Sequence, residues 1–325
     1  MFRSFTSALA IAAATAAAAG LTALAGPTAT ANTVERPDLG SHPTTCRGHA
    51  GTGCGAPKGT LFDDFDYTGP SDPAVARHGW EVRTSSGGPG VDGAAWTADN
   101  VSFPRVRGHK ALQLQLTTDG TAAGTTESEF SQSTNVREGT YLARIRFADA
   151  PVSGPDGDFV NQTFFAIGAL ASDCDPNYSE TDFSEYLPNG GWGVTTHLNS
   201  ETTWYTPGEN CSDSVENDQD VSLAGWHTIM ATVSQGHVRY YVDGTLVADH
   251  SGKYYPREDM VIDFNTWLID VTGHVGHQTS VWHQDVDYVY YAQNRVLTPR
   301  QAEQRVRTLR LHHSYLNSIA AGSNR

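Results

Sequence analysis

Tyr178-Ser179-Glu180-Thr181-Asp182-Phe183-Ser184-Glu185-Tyr186 is the stretch on which the fold turns. Tyr, Thr and Phe recur through it, and Pro188-Asn189-Gly190-Gly191 stops it, so a β-strand is expected. It carries three carboxylates: Glu180, Asp182 and Glu185. In a regular strand Glu180 and Asp182 share one face and Glu185 points to the other. A β-bulge near Phe183-Ser184 adds one residue and returns Glu185 to the same face. The plain alternative is a solvated strand with scattered acids, and spacing alone leaves both open.

With the bulge, the four effective steps from Glu180 to Glu185 put their Cα atoms about 13 Å apart. Two glutamates leaning together shorten that to the roughly 5–5.5 Å between carboxyl groups that retaining glycoside cleavage uses. Asp182 would lie between them. Like charges that close raise one pKa and keep an acid protonated near neutral pH.

Glu-x-Asp-x-x-Glu resembles the signature of glycoside hydrolase family 16, the laminarinase and lichenase group. The resemblance implies that Glu180 is the nucleophile, Asp182 the carboxylate that assists it, and Glu185 the general acid/base. Thr181 stands where the family usually has Ile or Leu, and Ser184 where it usually has a larger apolar residue.

Outward from this strand, alternation continues. Leu112, Leu114 and Leu116 alternate with Gln113 and Gln115. Tyr141, Ala143, Ile145 and Phe147 share one face, with Arg144 and Arg146 on the other. Thr163 to Leu170 is apolar on both faces and is expected to be a central strand. Ile229, Ala231 and Val233 alternate, as do Val238, Tyr240 and Val242, and Asp243-Gly244 suits a two-residue hairpin turn. This Trp226-to-Val247 stretch and the closing Val286–Tyr291 stretch also resemble family 16. The resemblance covers roughly residues 61–292. The expected fold is therefore all-β: an antiparallel sandwich (jelly roll, concanavalin A-like) with a short C-terminal helix.

The helix begins at Thr298-Pro299, with Thr298 as N-cap and Gln301 completing a capping box. Ala302, Val306, Leu309, His313 and Leu316 form its apolar stripe. The expected organisation is a signal peptide at 1–31, a Gly/Pro/Thr-rich leader or cap at 32–60, the catalytic jelly roll at 61–295, and a helical tail at 296–325.

The signal reading rests on Arg3, an Ala-rich run from Ala8 to Ala25, and Ala29-Thr30-Ala31 as cleavage site. The mature protein is expected to be secreted and extracellular, with no membrane association after signal removal. Loss of Arg3 takes the net charge from −15 to −16. So acidic a chain disfavours nucleic acid, anionic lipid and uronate polymers, and leaves neutral polysaccharide as the partner of a monomer.

Four cysteines in an exported chain suggest two disulfides, and Cys46–Cys54 with Cys174–Cys211 is favoured by proximity among three pairings. Aromatic faces bind sugar rings, which makes Trp192, Trp204 and Trp267 cleft candidates, Trp204 in a polar loop before Cys211. Asn265 lies beside Trp267, in a stretch resembling the family's cleft-lining strand. His197 resembles a family histidine that would sit near the nucleophile, and His283 is expected at the cleft edge.

No cofactor is required. The family resemblance implies a structural calcium held partly through Asp287. The expected function is retaining endo-hydrolysis of a neutral β-linked polysaccharide, a β-1,3- or β-1,3/1,4-glucan. The alternatives are a lectin-like binder of the same fold, a transglycosylase, or a polysaccharide lyase. The lyase reading lacks its arginines: Thr125-Thr126-Glu127-Ser128-Glu129 is the nearest stretch to Arg-x-Glu-x-Arg.

Overall fold

The computed structural model describes residues 57–319, except 107, 173, 195 and 207–210. The signal, almost all of the leader and the Cys46–Cys54 pairing lie outside the described residues. Cys174 and Cys211 are bonded to each other, with Cα atoms 4.4 Å apart.

Two antiparallel sheets face each other. The inner sheet runs, in spatial order, Trp80–Val82, Thr126–Gln132, Val261–Leu268, Val160–Ile167, Glu180–Leu187, Leu198–Trp204 and Ser214–Gln219. The outer sheet runs Val101–Ser102, Leu112–Thr118, Ser280–Gln293, Gly139–Phe147, Gly225–Ser234, His237–Val242 and Thr245–Ser251. Asp243 and Gly244 both have positive φ, as the expected hairpin turn requires.

Every second residue of each strand enters the core, the consequence of the two-residue pleat. Phe130, Phe164, Phe183, Tyr186, Ile262 and Phe264 from the inner sheet meet Leu114, Tyr141, Ile145, Ile229, Val238 and Tyr291 from the outer one. The strand expected at Thr163–Leu170 spans Val160–Ile167 instead. Its first residues are polar, which hid them. Gln162 is nonetheless buried, donating to the Ala148 carbonyl at 2.9 Å and accepting from the Ala148 N–H at 2.9 Å.

The C-terminal helix spans Pro299–Arg310 with the expected capping box. Ala302, Val306 and Leu309 cover the outward residues Phe62, Leu142, Met230 and Tyr290 of the outer sheet. His313 and Leu316 do not extend this stripe. The chain leaves the helix and forms a strand, Tyr315–Asn317, paired to Thr60–Asp63, so Leu316 packs from a strand. An unsatisfied edge at Thr60–Asp63 draws in the tail more strongly than helix propensity prolongs it.

Candidate active site

The three carboxylates sit on the strand Glu180–Leu187. Against its neighbour, Glu180 is opposite Ile167 and Asp182 opposite Phe165. Beyond a register shift, Ser184 is opposite Phe164 and Glu185 opposite Thr163. Phe183 is the extra residue. Thr163, Phe165 and Ile167 alternate on one face, so Glu180, Asp182 and Glu185 share that face. Phe183 turns into the core, where its ring lies 4.8 Å from Phe164 and 4.7 Å from Tyr141.

Ser184 also faces inward, and the polar departure at this position has a partner. Its hydroxyl donates to Asn199 Oδ1, and Asn199 Nδ2 donates to Glu201 Oε1 at 2.6 Å. Asn217 donates to Glu201 Oε2, and Gln219 to both Glu201 oxygens. Burial pushes Glu201 up to about 7, against the hydrogen bonds from these three side chains.

Each carboxylate has one donor. Tyr178 Oη donates to Glu180 Oε2. Trp204 Nε1 donates to Asp182 Oδ2 at 2.8 Å, and Asn161 Nδ2 to Glu185 Oε1 at 2.8 Å. Burial pushes Glu180 up to about 7, opposed by the Tyr178 bond. Burial raises Asp182 well above the usual carboxylate range, and the charges of Glu180 and Glu185 raise it further. Glu185 is pushed up to about 7, first by burial, with the Asn161 bond opposing and Glu180, Glu216 and Asp218 adding to it. One protonated and one ionised glutamate at neutral pH is what a nucleophile and a general acid need.

Trp204 is the last residue of the strand Leu198–Trp204, not part of a loop, and its indole N–H is spent on Asp182. Trp192 is 47% exposed in the turn after the carboxylate strand, its ring 5.9 Å from that of Trp267. Trp267 is opposite Asn161, so the aromatic pair stands at the Glu185 end of the face. Asn265 is buried; it shares a hydrogen bond with Thr163 and donates to Glu129 Oε2 at 3.3 Å.

Two histidines lie elsewhere. His197 Nε2 is 3.3 Å from Asp149 Oδ2. That aspartate also accepts from Tyr186 and Ser222, on the side of the strand away from Glu185. His283 belongs to the outer sheet; Trp282 and Gln284 point inward, so His283 points outward, where it meets Gln115 at 3.1 Å.

Asp287 sits at a second register shift, between Val286 and Tyr288. Arg310 of the C-terminal helix donates to both of its oxygens, at 2.7 and 3.1 Å. Among the described residues, no group of three or more His, Cys, Asp or Glu is placed to hold a metal ion. Asp287 is engaged by a guanidinium, so no step is routed through calcium.

Sequence reading assigned no role to Asn161, Tyr178 or the far side of the face. There Arg83 binds Glu129 at 3.0 Å and stacks 4.1 Å over Trp96, and Ser131 donates to the buried Asp263 at 2.7 Å. The signal was present in Asn161-Gln162-Thr163, a polar run in a strand buried on both faces, and in Thr126–Gln132, a largely polar strand that is buried or half-buried throughout.

The fold recurs among solved structures. A glycoside hydrolase family 16 endo-glucanase from Bacteroides ovatus aligns at TM-score 0.54, with 16% identity, over 70% of this chain and 98% of its own. A Bacillus licheniformis β-glucanase aligns at TM-score 0.53, with 19% identity, over 72% and 98%. The fold is that of glycoside hydrolase family 16. A 1,3-α-1,4-β-D-galactose-4-sulfate-3,6-anhydro-D-galactose 4 galactohydrolase shares it at TM-score 0.52 and 17% identity, over 71% and 92%. No family model and no curated protein matches the chain by sequence. At these identities the family 16 architecture is common ground, and chemistry has to be argued from the residues. Among the described residues no helix is long and apolar enough to cross a membrane.

Proposed function

We propose that the protein is a secreted retaining glycosidase that cleaves a neutral β-linked polysaccharide internally. The observation that carries this is the bulge at Phe183, which puts three carboxylates on one face with two of them poised near neutral pH. Glu180 attacks the anomeric carbon while Glu185 protonates the departing oxygen. Water, deprotonated by Glu185, then releases the sugar from Glu180. Asp182, anchored by Trp204 and raised well above the usual carboxylate range by burial, sits between the two glutamates on the strand and tunes their charges. Trp192, backed by Trp267, offers an exposed ring for a sugar face at the Glu185 end.

The solved relatives divide between glucan and galactan substrates by their names, so the polymer has to be chosen on charge. Glu216 and Asp218 are exposed on the strand beside the site, and Glu180, Asp182 and Glu185 have no cation among their hydrogen-bond donors. That surface repels sulfated or uronate chains and suits a neutral glucan, β-1,3- or β-1,3/1,4-linked. The test is reducing sugar released from laminarin, lichenan, agarose and a sulfated galactan, with Glu185→Gln alongside. Release from one neutral glucan, lost in the variant, supports the reading. Binding to a polymer without release by the wild-type protein overturns it in favour of a lectin.

A further inference from the structure

Asn161 is fully buried on the floor of the carboxylate face, next to the turn that carries Trp192. A buried amide is ordinarily satisfied at both ends. Here Nδ2 donates to Glu185 Oε1 at 2.8 Å, while Oδ1 is buried with no partner among the described residues. Nothing in strand formation asks for this residue. Val160, Phe164 and Ala166 supply the strand's core packing, and Trp267, across from Asn161, is aromatic. The one polar group that repays the side chain is the carboxyl of Glu185.

We propose that Asn161 is a positioning residue for Glu185: its amide fixes the orientation of that carboxyl and favours its ionised form. The inference rests on the glycosidase reading for its consequence, though not for the contact itself. Glu185 has to be an acid in the first half of the reaction and a base in the second. An N–H donor stabilises the carboxylate of the second half. A half-turn of the amide presents Oδ1 in place of Nδ2, where it can accept a hydrogen bond from the carboxyl while that carboxyl is protonated. The orphaned oxygen is then the idle end of a two-ended partner.

Other groups facing Glu185 work against ionisation. They are Glu180 and Asp182 on its own strand, and Glu216 and Asp218 across Leu198–Trp204. Leu198–Trp204 itself offers the hydroxyls of Ser200 and Thr202 on this face, and the Trp204 indole, which is spent on Asp182. On the other side, Thr163 is directly opposite and Asp263 and Glu129 lie farther out, the latter already paired with Arg83. Among the described residues, Asn161 is therefore the one group in hydrogen-bond contact that favours the anion.

The test reads Glu185 directly. The full chain is labelled with carbon-13 at glutamate side-chain carboxyls, and the Glu185 signal is identified as the one missing in Glu185→Gln. In Asn161→Leu, similar in size and without donors, the titration midpoint of Glu185 should move to higher pH. In Asn161→Asp, which keeps the shape and adds a like charge, it should move further in the same direction. On a polymer the wild-type protein cleaves, the alkaline limb of the kcat profile should shift the same way in Asn161→Leu. There kcat should fall on the order of tenfold at neutral pH and KM should stay within about twofold. A midpoint unmoved in the folded variants overturns the proposal; loss of activity at every pH with no shift of the limb overturns it too. If Asn161→Leu does not fold, the near-isosteric Asn161→Asp carries the measurement. If the wild-type protein cleaves nothing, the glycosidase reading fails while the titration still decides the Asn161–Glu185 coupling.

Discussion

Phe183 and Asp287 each sit at a β-bulge, one in the inner sheet and one in the outer, and the carboxylates there meet opposite surroundings. At the outer bulge a guanidinium from the C-terminal helix binds both oxygens of Asp287. At the inner one, three carboxylates each receive a single neutral donor. The first arrangement fixes a charge and ties a helix to a sheet. The second leaves protons as the only available counter-charge, so the groups titrate where chemistry is done. A bulge turns a side chain to an unaccustomed face; what it then does is set by whether a cation waits there.

The largest way to break this contrast is to remove a carboxylate proposed to be catalytic. Glu185→Gln should lower kcat about a hundredfold to ten-thousandfold, and Glu180→Gln by at least as much, measured on whichever polymer is cleaved. Neither should lower the melting temperature, because each removes a repelling charge. A variant retaining full turnover would sink the assignment of that residue.

Changing pH probes the same region without mutation. Glu180 and Glu185 titrate near 7 in the folded chain against 4.5 in the unfolded one. Between those values the folded state holds more protons, so their contribution to stability is complete below about 4.5 and is lost as pH rises through about 7. The melting temperature should therefore fall from pH 5 to pH 8, and less steeply in Glu180→Gln. Activity should peak near neutrality and decline on both sides, since one glutamate must be ionised and the other protonated. A melting temperature that rises over this interval would contradict the raised values.

The outer bulge answers differently. Arg310→Ala strands Asp287 beneath the helix and should cost about 1–3 kcal/mol, read from denaturant unfolding, with kcat unchanged. Restoring a cation with Arg310→Lys should recover only part of the loss, because one ammonium cannot grip both oxygens. An Arg310→Ala protein as stable as the wild type would mean that the pair contributes nothing and the contrast is only geometric. Trp192→Ala should give the smallest effect, a rise in KM of about two- to tenfold at constant kcat, because the ring offers stacking alone. A fall in kcat without a change in KM would move Trp192 out of the binding role.

Much of the inner bulge was legible from Glu180 to Glu185. The acids at those spacings make sense together only if one residue is looped out, and Phe183 is apolar enough to be driven inward when it is. The donors were not legible. Asn161 is 24 residues from Glu185 in sequence, and Trp204 reaches Asp182 from the next strand over. His197 and His283 show the converse: both are near the right strands in sequence, and each is directed away by alternation or by a neighbouring residue. Ser184 looked like an unexplained departure until Asn199 and Glu201 appeared behind it.

By itself, the sequence determined most of the core strands, the net acidic charge, the hairpin at Asp243-Gly244, the capped helix and the spacing of the three carboxylates. Each of these depends on residues within a few positions of one another, through pleat, turn and cap. Tertiary structure alone decided which donor each carboxylate received, that Arg310 would neutralise Asp287, and that the tail would end as a strand beside Thr60–Asp63. Those outcomes depend on cross-strand register and on which edge is left unpaired. Both are properties of the assembled sheets, to which distant segments contribute equally, and no local pattern records them.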